Sequence, residues 1–168
     1  MSMVTAYKGE VAKVFQLAHV VNTILYKAEE EDVNISPMKL QKLLYFIYMQ
    51  YYSRTGTPLF AERFEPWEYG PVVSDVYYAY KNKKGPYIEN YMRDAEGKLK
   101  RLALNAEPDL DQAFNTAWLK YKGFSGIELS QITHKEDGAW WKAAKNGRPF
   151  LSDEDIRSDF LSAGSEAV

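Results

Sequence analysis

Few side chains in this sequence could carry out chemistry. It contains no cysteine, which excludes thiol catalysis, thiolate zinc sites and a disulfide framework. Of its two histidines, His19 lies in an apolar stretch and His134 lies close to Glu136 and Asp137. We expect a hydrogen-bonded structural role for His19. For His134 we expect a place at a helix C-terminus, where its charge is favourable, with a metal or acid–base role as the weaker alternative.

Motifs of the common catalytic and cofactor-binding classes are missing. The chain has no GxxxxGKS or GxxxxGKT phosphate loop, no GxGxxG after a strand, and no HExxH, GxSxG or EF-hand pattern. Carboxylate pairs such as Glu65 and Glu68 occur, but any chain with 23 acidic residues offers such pairs, and a glycosidase hypothesis needs their separation in space. We therefore predict a protein without catalytic residues, cofactor or metal.

The composition is that of a globular protein. With 168 residues, 46% hydrophobic and 26% charged, it predicts one domain covering 1–168. The net charge of −2 provides no general attraction to nucleic acid. No apolar run reaches the roughly 18 residues of a membrane span, and the N-terminus lacks the features of a signal peptide. We therefore expect a cytoplasmic protein with no membrane partner.

A local basic cluster is the feature most compatible with nucleic-acid binding. Its members are Lys81, Lys83, Lys84, Lys98, Lys100 and Arg101. We interpret them as a solvated helix end and hairpin edge, because lysine also discourages pairing at a sheet edge. Nucleic-acid binding is the weaker alternative.

Seven helices are predicted from apolar spacing and capping residues. Their predicted starts, in order, are Glu10, Ser36, Pro71, Pro108, Ser125, Asp137 and Ser152. The last helix is expected at 152–161, followed by a frayed tail. Two candidate strands, Tyr87 to Arg93 and Lys98 to Leu104, predict a β-hairpin between the third and fourth helices. The expected fold is mainly α: a single domain of about seven helices with a small antiparallel β element.

The second helix is apolar on both sides. Tyr45, Phe46 and Met49 point away from its main stripe, beside Lys39 and Lys42. Such a helix is either central to the fold, which we favour, or carries a partner surface. Aromatic residues make up 15% of the chain, and Tyr and Trp are enriched at binding hot spots. The candidate partner surface comprises Phe46, Met49, Tyr87, Tyr91 and Trp140.

Three stretches together resemble a known family. They are SPMKLQKLLYF at 36–46, FEPWEYGPVVSDVY at 64–77, and LSQITH at 129–134, followed by Asp137 and Trp140. Their order and spacing resemble the Panacea antitoxin domain, also called SocA-like or GepA-like, over roughly 12–145. The resemblance implies a non-catalytic antitoxin that neutralises a neighbouring toxin by direct protein contact, often in connection with phage defence.

The family signature falls on residues whose physical role has two interpretations. They are Lys39, Gln41, Lys42, Tyr45, Trp67, Tyr69, Gly70, Pro71 and His134. The polar residues of the second helix could hold the WEYGP loop by hydrogen bonds, or they could be exposed to a toxin. They are not plain core residues, because buried lysine is rare without a partner. We favour the structural interpretation, because motifs shared by a family are expected to preserve the scaffold, whereas unrelated toxins would need variable surfaces. Gly70 and Pro71 are expected to shape the turn into the third helix. Toxin specificity would then lie in the predicted hairpin at 87–104 or near Trp140.

Four functional hypotheses follow from these patterns. The leading one is an antitoxin that binds a cognate protein toxin. The second is an adaptor that delivers a bound protein to a protease, or works with a chaperone, with the frayed tail as a handle. The third is a DNA-binding repressor. The fourth, a small-molecule enzyme, would require a deep polar pocket around His134.

Overall fold

The computed structural model describes residues 2–5 and 11–166, and this part of the chain is mainly α-helical, as the sequence predicts. Its helices are α1 Leu17–Glu30, α2 Pro37–Thr55, α3 Ser74–Tyr80, α4 Pro108–Tyr121, α5 Gly126–Thr133, α6 Ala139–Lys145 and α7 Asp153–Glu166. Two antiparallel pairs of strands accompany them: β1 Ser2–Thr5 with β2 Val11–Val14, and β3 Glu65–Trp67 with β4 Gly70–Val72. No helix within the described residues combines the length and apolarity needed to cross a bilayer.

Helix α2 is the centre of the fold, because five of the other helices and β4 contact it: α1, α3, α4, α5 and α7. Ser36 caps its first turn by accepting a hydrogen bond from the amide of Lys39 at 3.1 Å, and Gly56 ends it in the left-handed conformation. All residues from 39 to 49 are buried. This corrects the assignment of Phe46 and Met49 to a partner surface: they are 3% and 2% exposed, because α4, α5 and α7 cover that side of the helix.

Two predicted helix starts are wrong because apolar spacing continues from a strand into the helix that follows. The first helix begins at Leu17, and Val11–Val14 pairs with β1 instead. Glu10, the predicted start, lies outside the described residues. Pro71 does not open the third helix, which begins at Ser74; it belongs to β4. Trp67 lies in β3, ahead of this strand.

The segment 87–104 is not the predicted β-hairpin. It contains no strand, because its two arms are held apart by a side chain of α1. Asn22 donates to the carbonyl oxygens of Met92 and Lys100, at 2.8 Å each, and accepts from the amide of Met92 at 2.7 Å. The Asn22 amide therefore takes the place of a strand-to-strand ladder.

His19 fixes the turn of the same segment, in the structural role that the sequence predicts. Its Nε2 lies 2.8 Å from a carboxylate oxygen of Asp94, and both side chains are buried. The other oxygen of Asp94 accepts from the amides of Glu96 and Lys98 at 2.9 and 2.8 Å. These contacts lower the pKa of Asp94 to about 2. The hydrogen bond with His19 is the main cause, and the two amide bonds add to it.

The C-terminal helix is longer than predicted and is tied to α2. Ser152 caps it as expected, accepting from the amide of Asp155 at 3.2 Å, but the helix continues to Glu166 instead of ending at 161. The predicted end at 161 is therefore five residues short, and 167–168 lie outside the described residues. Tyr45 of α2 donates to Asp159 of α7 at 2.6 Å, which ties the two helices together.

Helix α6 begins differently from the prediction. Asp137 is not its cap; Gly138 holds that position. The donor left by the first turn, the amide of Ala139, is satisfied by Asp159 of α7 at 3.0 Å. A carboxylate distant in sequence thus replaces the local cap.

Replacing Asn22 with alanine should loosen segment 87–104. The change leaves two carbonyls and one amide without their side-chain partner, and we expect the free energy of unfolding to fall by about 2 kcal/mol. Hydrogen–deuterium exchange should quicken at the amides of Met92 and Leu102. The control is Asn115→Ala, whose side chain bonds only within its own helix turn at Asp111. Unchanged exchange across 87–104 in Asn22→Ala would contradict this account.

Candidate functional site

The β3–β4 hairpin is the point where the motif-bearing segments meet. Trp67 pairs with Gly70, and Pro66 pairs with Pro71, so that Glu68 and Tyr69 form the turn. Gly70 has a φ of +110°, a conformation that side-chain-bearing residues rarely adopt. Gly70 and Pro71 therefore shape the hairpin itself, which corrects their predicted role in the turn into α3.

Helix α2 holds the returning strand from one side. Gln41 both donates to the carbonyl of Val73 at 3.1 Å and accepts from its amide at 3.0 Å. Lys42 donates to the carbonyl of Pro71 at 3.1 Å. Gln41 and Lys42 thus form hydrogen bonds of the kind that the structural interpretation expects. Lys39 differs, because it donates to the carbonyl of Lys122 at the end of α4.

Helices α5 and α6 hold the hairpin from the other side. The hydroxyl of Ser130 donates to the carbonyl of Tyr69 at 2.6 Å, and the indole of Trp140 donates to that of Trp67 at 2.6 Å. Both bonds are short and anchor backbone oxygens of the hairpin. Trp140 is half-buried and engaged with the hairpin, so it is not a free anchor for a partner.

His134 completes this set of contacts at the C-terminus of α5, where the sequence places it. Its Nε2 lies 2.9 Å from the carbonyl of Glu68, and its Nδ1 lies 2.6 Å from that of Ser130. The ring also meets the edge of Trp140, with centroids 4.1 Å apart. Both ring nitrogens of His134 therefore lie within hydrogen-bond distance of backbone carbonyls.

Lys42 is a buried cation at the base of the hairpin. Its side chain is 1% exposed, and burial lowers its pKa from 10.5 to about 8. Among the residues that the structure describes, no carboxylate forms an ion pair with it. The carbonyl of Pro71 is its neutral partner, so the fold bears part of the cost of burying this charge.

A groove lies beside the hairpin, and we call it the hairpin groove. Its volume is about 600 Å³, and it runs between the first turns of α2, the hairpin, α3 and the turn at 81–86. Residues of all four segments line it: Met38, Trp67, Tyr69, Tyr77, Tyr80 and Lys81. A cavity of this size is typical of sites that bind ligands or inserted side chains.

Exposed aromatic side chains surround the hairpin groove. Tyr69, at the hairpin turn, is 59% exposed, and Tyr77 and Tyr78 of α3 are 43% and 61% exposed. Trp67 meets Tyr77 edge to face with centroids 4.8 Å apart, and Tyr77 meets Tyr78 at 5.4 Å. Neighbouring rings that are open to solvent are typical of a surface that binds a partner.

The surface predicted from sequence is not the one that the fold assembles. Tyr87 is 46% exposed, but with Tyr91 it lines a different cavity of about 260 Å³ next to α1. Tyr91 donates to Glu29 there at 3.0 Å. Sequence reasoning missed the hairpin groove; the signal that could have indicated it is the run of tyrosines and lysines that directly follows the WEYGP motif.

Comparison with known proteins places these motifs in a family. The sequence model described as "Antitoxin SocA-like, Panacea domain" matches residues 40–141. The chain belongs to the SocA-like Panacea family. Antitoxin SocA of Caulobacter vibrioides is 31% identical to it over 125 residues, which cover 72% of this chain and 66% of SocA. The chain thus matches just under two thirds of that relative's length. No solved structure matches the chain.

The Panacea match contains the whole set of hairpin contacts. It begins at Leu40, one residue before Gln41, and ends at Trp141, one residue after Trp140. Helix α7 lies outside it. The part of the chain that carries the family likeness is therefore the part that builds and holds the hairpin.

Gly70→Ala should damage the hairpin more than a glycine replacement in an open turn. A Cβ at Gly70 would lie 2.5 Å from the hydroxyl of Thr133 and 2.7 Å from the Lys42 side chain, in addition to the strain of its positive φ. We expect a loss of at least about 3 kcal/mol in unfolding free energy. Gly97→Ala is the control, because Gly97 also has a positive φ but no atom within 4 Å, and it should cost about 1 kcal/mol. Equal losses would contradict the close packing at Gly70.

The buried charge of Lys42 predicts a stability that depends on pH. Its pKa is lower in the folded state, so the unfolded chain binds more protons between about pH 8 and 10.5, and folding stability from this group rises across that window. Between pH 8 and 10.5 the unfolding free energy of the wild type should rise by up to about 3 kcal/mol relative to that of Lys42→Met. Urea denaturation at several pH values measures the difference. If the difference in unfolding free energy between the wild type and Lys42→Met does not change with pH, the prediction is refuted.

Proposed function

We propose that this chain is an antitoxin that neutralises a protein toxin, encoded beside it, by binding it directly through the hairpin groove. Membership of the SocA-like Panacea family supports the antitoxin role, and the relative named Antitoxin SocA supports it further. The proposal places the activity in the cytoplasm, with phage defence as one setting in which such a pair would act. Catalysis is not part of it.

The observation that carries the proposal is a rigid hairpin that presents aromatic rings beside an open groove. The backbone around Tyr69 is fixed by bonds from Ser130 and His134, while the Tyr69 side chain remains 59% exposed. Large rings held in one orientation lose little conformational entropy on binding, which is why Tyr and Trp dominate binding hot spots. A toxin surface that covered these rings would be held firmly and could be occluded.

The polar chemistry of the site favours binding over catalysis. Both ring nitrogens of His134 face backbone carbonyls, so the ring has no free nitrogen for proton transfer to a substrate. Across the described ranges 2–5 and 11–166, no group of three His, Asp or Glu side chains could hold a metal ion. These features weaken the enzyme hypothesis, which requires a polar pocket around His134.

Delivery of a bound protein to a protease is the alternative that the same binding groove would serve. Its sequence support, a frayed tail as handle, is reduced because α7 is helical to Glu166. The half-life of the toxin separates the two mechanisms. Occlusion leaves the half-life unchanged when the antitoxin is present, and delivery shortens it.

Removing the exposed rings should abolish neutralisation without unfolding the protein. For Tyr69→Ala combined with Tyr77→Ala we expect at least about tenfold weaker toxin binding, because exposed hot-spot rings contribute more than about 1 kcal/mol each. Titration calorimetry with the purified toxin measures the affinity, and growth on co-expression measures protection.

Tyr87→Ala is the matched control for this experiment. Its side chain is 46% exposed, close to the 43% of Tyr77, but it lies outside the hairpin groove. We expect binding and protection to remain normal. If Tyr87→Ala loses protection while the groove variant keeps it, the binding surface is the one first predicted from sequence, and the assignment to the groove is wrong.

A further inference from the structure

The hairpin groove differs in charge from the protein as a whole. We propose that it binds an extended segment of the toxin that carries acidic side chains together with apolar or aromatic ones. The inference rests on the proposed function, because it names the part of the toxin that the same groove would take. Three features of the groove support this inference: lysines without acidic partners, the N-terminal turn of α2, and an apolar floor.

The lysines of the groove lack acidic partners. Lys42, Lys81 and Lys83 line it, whereas Glu68 is the carboxylate among its lining residues. Among the described residues, none of the three lysines forms an ion pair, and Lys83 bonds to the neutral carbonyl of Gly85. The chain as a whole carries a net charge of −2. A positive groove on an acidic protein complements a negative segment and rejects a positive one.

The first turn of α2 adds to this positive field. Pro37 and Met38 line the groove at the N-terminus of a helix of 19 residues. Backbone dipoles give such an end a partial positive charge, which attracts carboxylates over the length of about one turn. The helix end and the lysines therefore act in the same direction on a bound segment.

The floor of the groove is apolar. Val72, Val76 and Tyr80 line it, and each of them is buried to at least nine tenths of its surface. A volume of about 600 Å³ accommodates a few side chains instead of a folded domain. Apolar side chains of the segment would fill the floor, while its carboxylates meet Lys81 and Lys83 at the rim.

A protein segment fits the groove better than a nucleic acid. Nucleic-acid binding draws most of its affinity from a series of phosphates neutralised along a basic track. The groove is lined by two lysines of the segment after α3, Lys81 and Lys83, by the buried Lys42 and by one carboxylate, Glu68. That arrangement suits one or two carboxylates at fixed positions.

The test uses overlapping synthetic peptides that span the toxin, with binding to the full-length chain measured by fluorescence anisotropy. The peptide that binds should carry Asp or Glu near an apolar or aromatic residue, and its affinity should fall as sodium chloride is raised. Lys81→Glu combined with Lys83→Glu should weaken binding of this peptide at least about tenfold. The control, Lys98→Glu with Lys100→Glu, makes the same charge change on segment 87–104 and should leave binding within about twofold of wild type.

Other outcomes would overturn the inference. A binding peptide rich in Lys or Arg, or an equal loss with both charge-reversed pairs, would refute an acidic occupant of the groove. Competition by a thymidine oligonucleotide would indicate nucleic acid, and a dimer abolished by Lys81→Glu with Lys83→Glu would indicate a second copy. If Lys81→Glu combined with Lys83→Glu neutralises the whole toxin normally, only this inference fails. If the wild-type chain gives no protection against the toxin, the proposed function fails as well.

Discussion

The backbone carbonyls of the β3–β4 hairpin need hydrogen-bond donors, and the arrangement of the rest of the structure follows from how they are supplied. A hairpin of two three-residue strands is not stable alone in water. Here the carbonyls of Trp67, Glu68, Tyr69, Pro71 and Val73 each accept from a side chain. The donors come from α2, α5 and α6, so three helices must hold fixed positions for the hairpin to form. Side-chain donors thus hold the hairpin in place of further strands.

This arrangement separates the residues that hold the hairpin from those that it presents. The donors bind backbone oxygens, which every residue type carries, and so place little restriction on the side chains of the turn. Tyr69 is held at its carbonyl by Ser130 while its ring points into solvent. A fold of this kind can keep one frame and change the exposed side chains to suit different partners. The same reasoning explains why motif residues such as Gln41 and Lys42 are buried instead of lying on the contact surface.

Local signals predicted the helices well and the β structure poorly. The caps at Ser36, Ser125 and Ser152 are formed by residues within one turn, so sequence alone reveals them. The arms of 87–104 have strand-like composition, but Asn22, some 70 residues earlier in the chain, bonds to their backbone and prevents pairing. Conversely, the real hairpin is rich in Pro and Gly and depends on donors from three helices. Motif likeness located its parts, but the hairpin groove forms only when the first turns of α2 pack beside the continuous stretch 67–86, and helix and strand patterns do not reveal that contact.

The buried charge at Lys42 links the stability of this frame to what the groove binds. Among the described residues its ammonium group has a carbonyl partner and no carboxylate partner, so part of the desolvation cost of burying the charge is not offset in the free protein. An acidic segment in the groove would lower that cost by bringing negative charge near a cation already in place, with no need to order a flexible surface lysine first. Binding and folding would then reinforce each other, since a ligand that binds only the native state stabilises it. A lysine that appears costly in isolation is thus consistent with a protein whose working state is a complex.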